Sequence, residues 1–108
     1  MSAITTHVLD TAQGCPARDV PVRLEREDGR IVAEGATNTD GRVQDLGPQE
    51  IPAGTYRLVF DTSSYFESTG HEGFFPEVTI TFTVTDPTQH HHVPLLLSPY
   101  GYSTYRGS

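Results

Sequence analysis

The sequence predicts an all-β protein, a two-sheet sandwich of seven to eight short strands with one short helix, and three observations carry that reading. Segments rich in β-branched and aromatic residues recur along the 108 residues; within them apolar and polar residues alternate with period two; and turn residues separate them at short intervals. The length fits one domain spanning residues 1–108, of a size that buries only about two thirds of its unfolded surface, so assembly has room to add stability.

The first strand is expected over residues 4–11, where Ile4, Thr6 and Val8 alternate with Thr5, His7 and Leu9. Gly14-Cys15-Pro16 reads as a turn. Val20, Val22 and Leu24 mark a second strand, which Asp28-Gly29 closes before a third over 31–37. Asp40-Gly41 is another turn, and Pro52-Ala53-Gly54 leads into a strand over 55–61. From Asp61 to Gly70 the chain offers a choice of N-cap residues, a glutamate at Glu67 and a glycine stop, which predicts the helix. Residues 78–84 alternate again, Asp86-Pro87 breaks them, and strands over 91–97 and 102–106 flank the turn Ser98-Pro99-Tyr100-Gly101.

Composition removes several classes of function. Seven arginines and no lysine face fourteen acidic residues, a formal charge of −7, which argues against nucleic acid or an anionic membrane as partner. Without lysine no side-chain amine is present to form a Schiff base. The single cysteine, Cys15, has no internal disulfide partner and sits in a turn as a spectator; no stretch approaches the about 18 apolar residues of a membrane span, and no signal peptide is read in the first residues. The cytoplasm is the expected compartment.

Strand parity then sorts the histidines. In the segment His90-His91-His92-Val93-Pro94-Leu95-Leu96-Leu97, one face carries His90, His92, Pro94 and Leu96 while His91, Val93, Leu95 and Leu97 form the other, which reads as core. His7 shares its face with Thr5 and Leu9. If the faces of His7 and His92 lie on the outer side of one sheet, two imidazoles from distant strands meet on an otherwise apolar surface.

His7-Val8-Leu9-Asp10-Thr11, Gly14-Cys15-Pro16-Ala17, Thr39-Asp40-Gly41-Arg42, His92-Val93-Pro94-Leu95-Leu96-Leu97-Ser98-Pro99 and Tyr102-Ser103-Thr104-Tyr105-Arg106-Gly107-Ser108 together resemble the 5-hydroxyisourate hydrolases, the transthyretin-related proteins of purine catabolism. The resemblance covers essentially the whole chain, and its Tyr-Arg-Gly-Ser terminus is the mark that separates these hydrolases from transthyretin. It implies a transthyretin-like sandwich, a homotetramer built as a dimer of dimers, and a central channel lined by the outer face of one sheet. It implies His7, Arg42, His92 and Ser108 as the catalytic set, with His7, Arg42 and Tyr105 contacting substrate and Tyr105 narrowing the channel. The implied reaction is hydrolysis of a cyclic amide, 5-hydroxyisourate, with no cofactor and no metal because the substrate is already activated. His92 or His7 would activate water, the other imidazole would protonate the leaving nitrogen, and Ser108 would orient through its hydroxyl or carboxylate. His91 departs from the commonest family pattern, which has tyrosine there.

Plainer readings stand beside these. Taken alone, His7 is a half-exposed strand residue and Arg42 a solvated turn charge; Tyr100 and Tyr102 are packing residues, and Arg106 suits a structural ion pair. The other function classes are a carrier of a small aromatic ligand and, more distantly, a metal-binding sandwich in which His90 and His92 share an ion while His91 points away.

Overall fold

The computed structural model describes residues 2–107. Eight strands and one helix follow in the order β1 (Ile4–Asp10), β2 (Cys15–Pro16), β3 (Pro21–Arg26), β4 (Ile31–Ala36), β5 (Gly54–Phe60), α1 (Thr62–Thr69), β6 (Val78–Val84), β7 (His91–Ser98) and β8 (Gly101–Thr104). They form two four-stranded sheets, β2-β1-β7-β8 and β4-β3-β5-β6. The neighbouring strands are antiparallel except β1 and β7, which run parallel.

Each sheet buries its inward positions. Val8, Leu95 and Leu97 from one sheet and Val22, Leu24, Leu58, Phe60 and Val78 from the other belong to one core cluster, with Leu24, Leu58, Phe60 and Leu95 wholly covered. The alternation decides which side of β1 and β7 points outward. Ile4, Thr6 and Val8 are buried and Thr5, His7 and Leu9 half-buried; Val93, Leu95 and Leu97 are buried, and His92 and Leu96 half-buried.

Two local differences from the expectation have physical reasons. Cys15 and Pro16 form a short strand rather than only a turn: Gly14 at φ 70° returns the chain sharply, its N–H bonded to the Asp10 carbonyl, and the two residues then pair with Asp10 and Leu9. Pro16 is tolerated there because the strand lies at the sheet edge. The last strand stops at Thr104, and Tyr105 and Arg106 leave the ladder before Gly107 rejoins it as a single bridge to His92. Helix α1 follows the expected caps: the Asp61 carboxylate accepts from Ser64 N–H at 3.1 Å, and Gly70 ends the helix in the left-handed region at φ 73°. Among the described residues no helix is long and apolar enough to cross a membrane.

Candidate active site

The parallel β1–β7 pair brings the histidine segments together. In its register Thr5 stands opposite His92 and His7 opposite Pro94, so the outward sides of both strands make one surface. Arg42 reaches that surface through the turn before it. The Asn38 carboxamide accepts from Asp40 N–H at 2.9 Å and Arg42 N–H at 3.1 Å, Gly41 adopts φ 76°, and its carbonyl accepts from Val8 N–H at 2.7 Å. Arg42 is thereby bridged to His7. A side chain at Gly41 would strike the Val8 carbonyl and crowd the His7 ring, so the glycine is what lets this turn lie against β1.

At the other end Gly107 N–H donates to the His92 carbonyl at 2.8 Å. A Cβ on Gly107 would lie 2.5 Å from His92 Cδ2; the missing side chain leaves the imidazole its place.

These elements enclose a cavity of about 510 Å³ lined by Thr5, Thr6, Arg42, Val43, Gln44, His90, His92, Tyr105 and Gly107. Of the residues singled out from the sequence, Arg42, His92 and Tyr105 share it. His7 is not among the lining residues; it stands beside them, two positions along the same side of β1 from Thr5 and bridged to Arg42. Ser108 lies outside the described residues. A second cavity of about 310 Å³, between the β6 and β8 edges, includes His92 and Tyr105 as well as Ile80, Phe82, His91 and Arg106.

His92 stands in altered surroundings. Burial, then the positive charge of Arg42, then His7 and His90, push its pKa below the usual histidine value, while a hydrogen bond to the Thr5 backbone acts in the opposite sense. The ring is therefore neutral near neutral pH and able to take a proton. Thr5 Oγ1 lies 2.8 Å from His92 Nδ1 and 2.9 Å from His90 Nε2. Thr5 did not stand out in the sequence as part of the site; it shares parity with His7, but only the strand pairing shows that it faces His92.

Other expectations resolve individually. His91 is buried on the core side with no hydrogen-bond partner for Nδ1 among the described residues. Tyr102 packs edge-on against Phe75 at 5.2 Å, but Tyr100 is 72% exposed at the tip of the β7–β8 turn and packs little. Arg106 makes no ion pair among the described residues and borders the second cavity instead.

The chain matches the HIUase/Transthyretin family over residues 4–107. It is 49% identical over 113 residues to the 5-hydroxyisourate hydrolase of Mus musculus, an alignment that covers 99% of this chain and 96% of the mouse protein. The structure of Klebsiella pneumoniae 5-hydroxyisourate hydrolase matches it with a TM-score of 0.89 at 41% identity, covering 100% of this chain and 94% of that one. Transthyretin from Sparus aurata matches equally well in shape, with a TM-score of 0.89, but at 30% identity, over 99% of this chain and 97% of its own. Fold, length and sequence agree along the whole described chain, and it belongs to the HIUase/transthyretin family.

Proposed function

We propose that this protein is a 5-hydroxyisourate hydrolase, an enzyme that opens the cyclic amide of an oxidised purine to 2-oxo-4-hydroxy-4-carboxy-5-ureidoimidazoline on the route from urate to allantoin. The observation that carries the reading is the convergence of His92, Arg42 and Tyr105 on one cavity, with His92 held in its neutral form. The higher identity to the hydrolases than to transthyretin points the same way.

In this reaction water adds to a ring carbonyl, the carbon–nitrogen bond breaks, and one water proton ends on the departing nitrogen. Neutral His92 takes the proton from water as the oxygen attacks. Arg42 binds the carbonyl oxygen and stabilises the negative charge that grows there as the carbon becomes tetrahedral. His7, next to Arg42, supplies the proton to the leaving nitrogen. Tyr105 forms a wall of the pocket against the flat substrate, and Ser108 orients substrate or water through its hydroxyl or carboxylate. No cofactor or metal takes part.

The protein works as a homotetramer, a dimer of dimers of a single domain over residues 1–108, in the cytoplasm. The outer side of the β2-β1-β7-β8 sheet lines its central channel, and neither nucleic acid nor membrane is a partner. The test is direct: generate the substrate with urate oxidase and follow its ultraviolet decay with and without the protein. Marked acceleration, lost on His92→Asn replacement, supports the reading. An unchanged decay rate together with tight binding of a small aromatic ligand would replace it with the carrier reading that the resemblance to transthyretin offers.

A further inference from the structure

We infer that Thr5 and His90 are positioning residues that fix the tautomer of His92, with the ring proton on Nδ1 and Nε2 left open as the base. The kinetic part of this inference rests on the hydrolase reading; the tautomer does not.

The hydrogens available limit how these groups can pair. A threonine hydroxyl has one O–H and two lone pairs, and a neutral imidazole has one N–H and one bare nitrogen. Thr5 Oγ1 lies between two ring nitrogens, His92 Nδ1 at 2.8 Å and His90 Nε2 at 2.9 Å. One hydroxyl hydrogen cannot serve both, so at least one ring donates to Thr5.

The surroundings decide which. His90 is exposed, so water satisfies its Nδ1 in either protonation state. His92 is half-buried, and the ring edge not held by Thr5 carries Nε2. Arg42 shares the cavity with that ring. Its guanidinium is cationic and offers only donors, so a lone pair on Nε2 suits it and an N–H does not. The proton then belongs on Nδ1. His92 Nδ1–H donates to Thr5, Thr5 O–H donates to His90 Nε2, and the basic lone pair of Nε2 is left for water.

The same chain acts again when the ring is charged. As Nε2 takes a proton, the Nδ1–H donor becomes cationic and its bond to Thr5 strengthens. Thr5 suits this work because branching at Cβ restricts χ1, and the parallel register holds its backbone opposite His92. Gly107, which has no side chain to strike Cδ2, leaves the ring its place on the other side.

The experiment measures ring nitrogens and kinetics separately. In the ¹⁵N-labelled wild-type protein without substrate, above the titration of His92, two-bond ¹⁵N–¹H correlations are expected to show His92 protonated at Nδ1. In Thr5→Val the hydroxyl is gone, and a population protonated at Nε2 is expected with kcat lowered about tenfold or more while KM changes little. Thr5→Ser, which keeps the hydroxyl, restores both the tautomer and most of kcat. His90→Leu removes the distal acceptor at an exposed position and lowers kcat in the same direction. Protonation of His92 at Nε2 in the wild type, or a Thr5→Val variant with wild-type tautomer and kcat, overturns the inference. If the wild-type protein fails to turn over substrate, the hydrolase reading falls while the ring nitrogens still decide the tautomer.

Discussion

A histidine that serves as a base must stay neutral while standing close to positive charge, and His92 meets that requirement through burial first and Arg42 second. Its neutral form then persists into more acid solution than that of an exposed histidine. Replacing Arg42 by Gln removes the nearest permanent cation, so the acid limb of the kcat/KM profile is expected to move to higher pH. Turnover should fall at the same time by about a hundredfold or more through lost stabilisation of the oxyanion. A pH–rate profile of both proteins checks both parts. Gly107 acts by its lack of a side chain: Gly107→Ala places a methyl group against His92, and a loss of kcat with an unchanged far-ultraviolet circular dichroism spectrum is the expected result. At this scale the sequence was informative about chemistry and silent about neighbours. His92, Arg42 and Tyr105 were identified by residue type and motif, whereas Thr5 and Gly107 matter only through what they touch across strands.

Elements are fastened to one another at a few polar points, and Asp10 is one of them. Its carboxylate, 2% exposed at the end of β1, accepts from Ala12 N–H and Gln13 N–H at 3.0 Å, Gln13 Nε2 at 2.9 Å and Tyr65 O–H at 2.7 Å. The last of these ties α1 to the β1 sheet. Burial alone would raise the Asp10 pKa, but the hydrogen bonds from Tyr65, Gln13 and Ala12 together outweigh it and hold the carboxyl below its ordinary value. The stabilisation is therefore complete above the unfolded-state pKa and disappears as pH falls through the lower folded-state value. Tyr65→Phe takes away one donor and should cost about 1.5–3 kcal/mol at neutral pH, read from urea unfolding, with a smaller difference in acid. The strands and the helix were legible because alternation and caps are local signals: Asp61 and Gly70 fell where expected. Cys15–Pro16 was not, since a two-residue edge strand has no periodicity and exists only because Leu9 and Asp10 accept it as a partner.

Over the whole molecule, the sandwich leaves four sheet edges: β2, β4, β6 and β8. β6, with the sequence Val-Thr-Ile-Thr-Phe-Thr-Val, is seven residues long and contains neither charge nor proline, the kind of edge that a monomer ordinarily protects. This suits the proposed assembly. Thr81→Lys puts a charge at an exposed position of that edge, where two copies brought together would repel. Sedimentation is expected to show a smaller particle than the wild type, with turnover reduced if the pocket is completed where subunits meet. The sandwich class was evident from the spacing of turns, but the parallel pairing of β1 with β7 was not, because no local signal states which distant strands become neighbours.

That pairing has a kinetic consequence. Thr5 and His92 are 87 residues apart in the chain, so the pocket forms only when a loop containing most of the polypeptide has closed, a step whose entropic penalty grows with loop length. Partially folded intermediates that retain hairpins alone would be catalytically inert. During biosynthesis, competence would arrive only after nearly the whole described chain has been made.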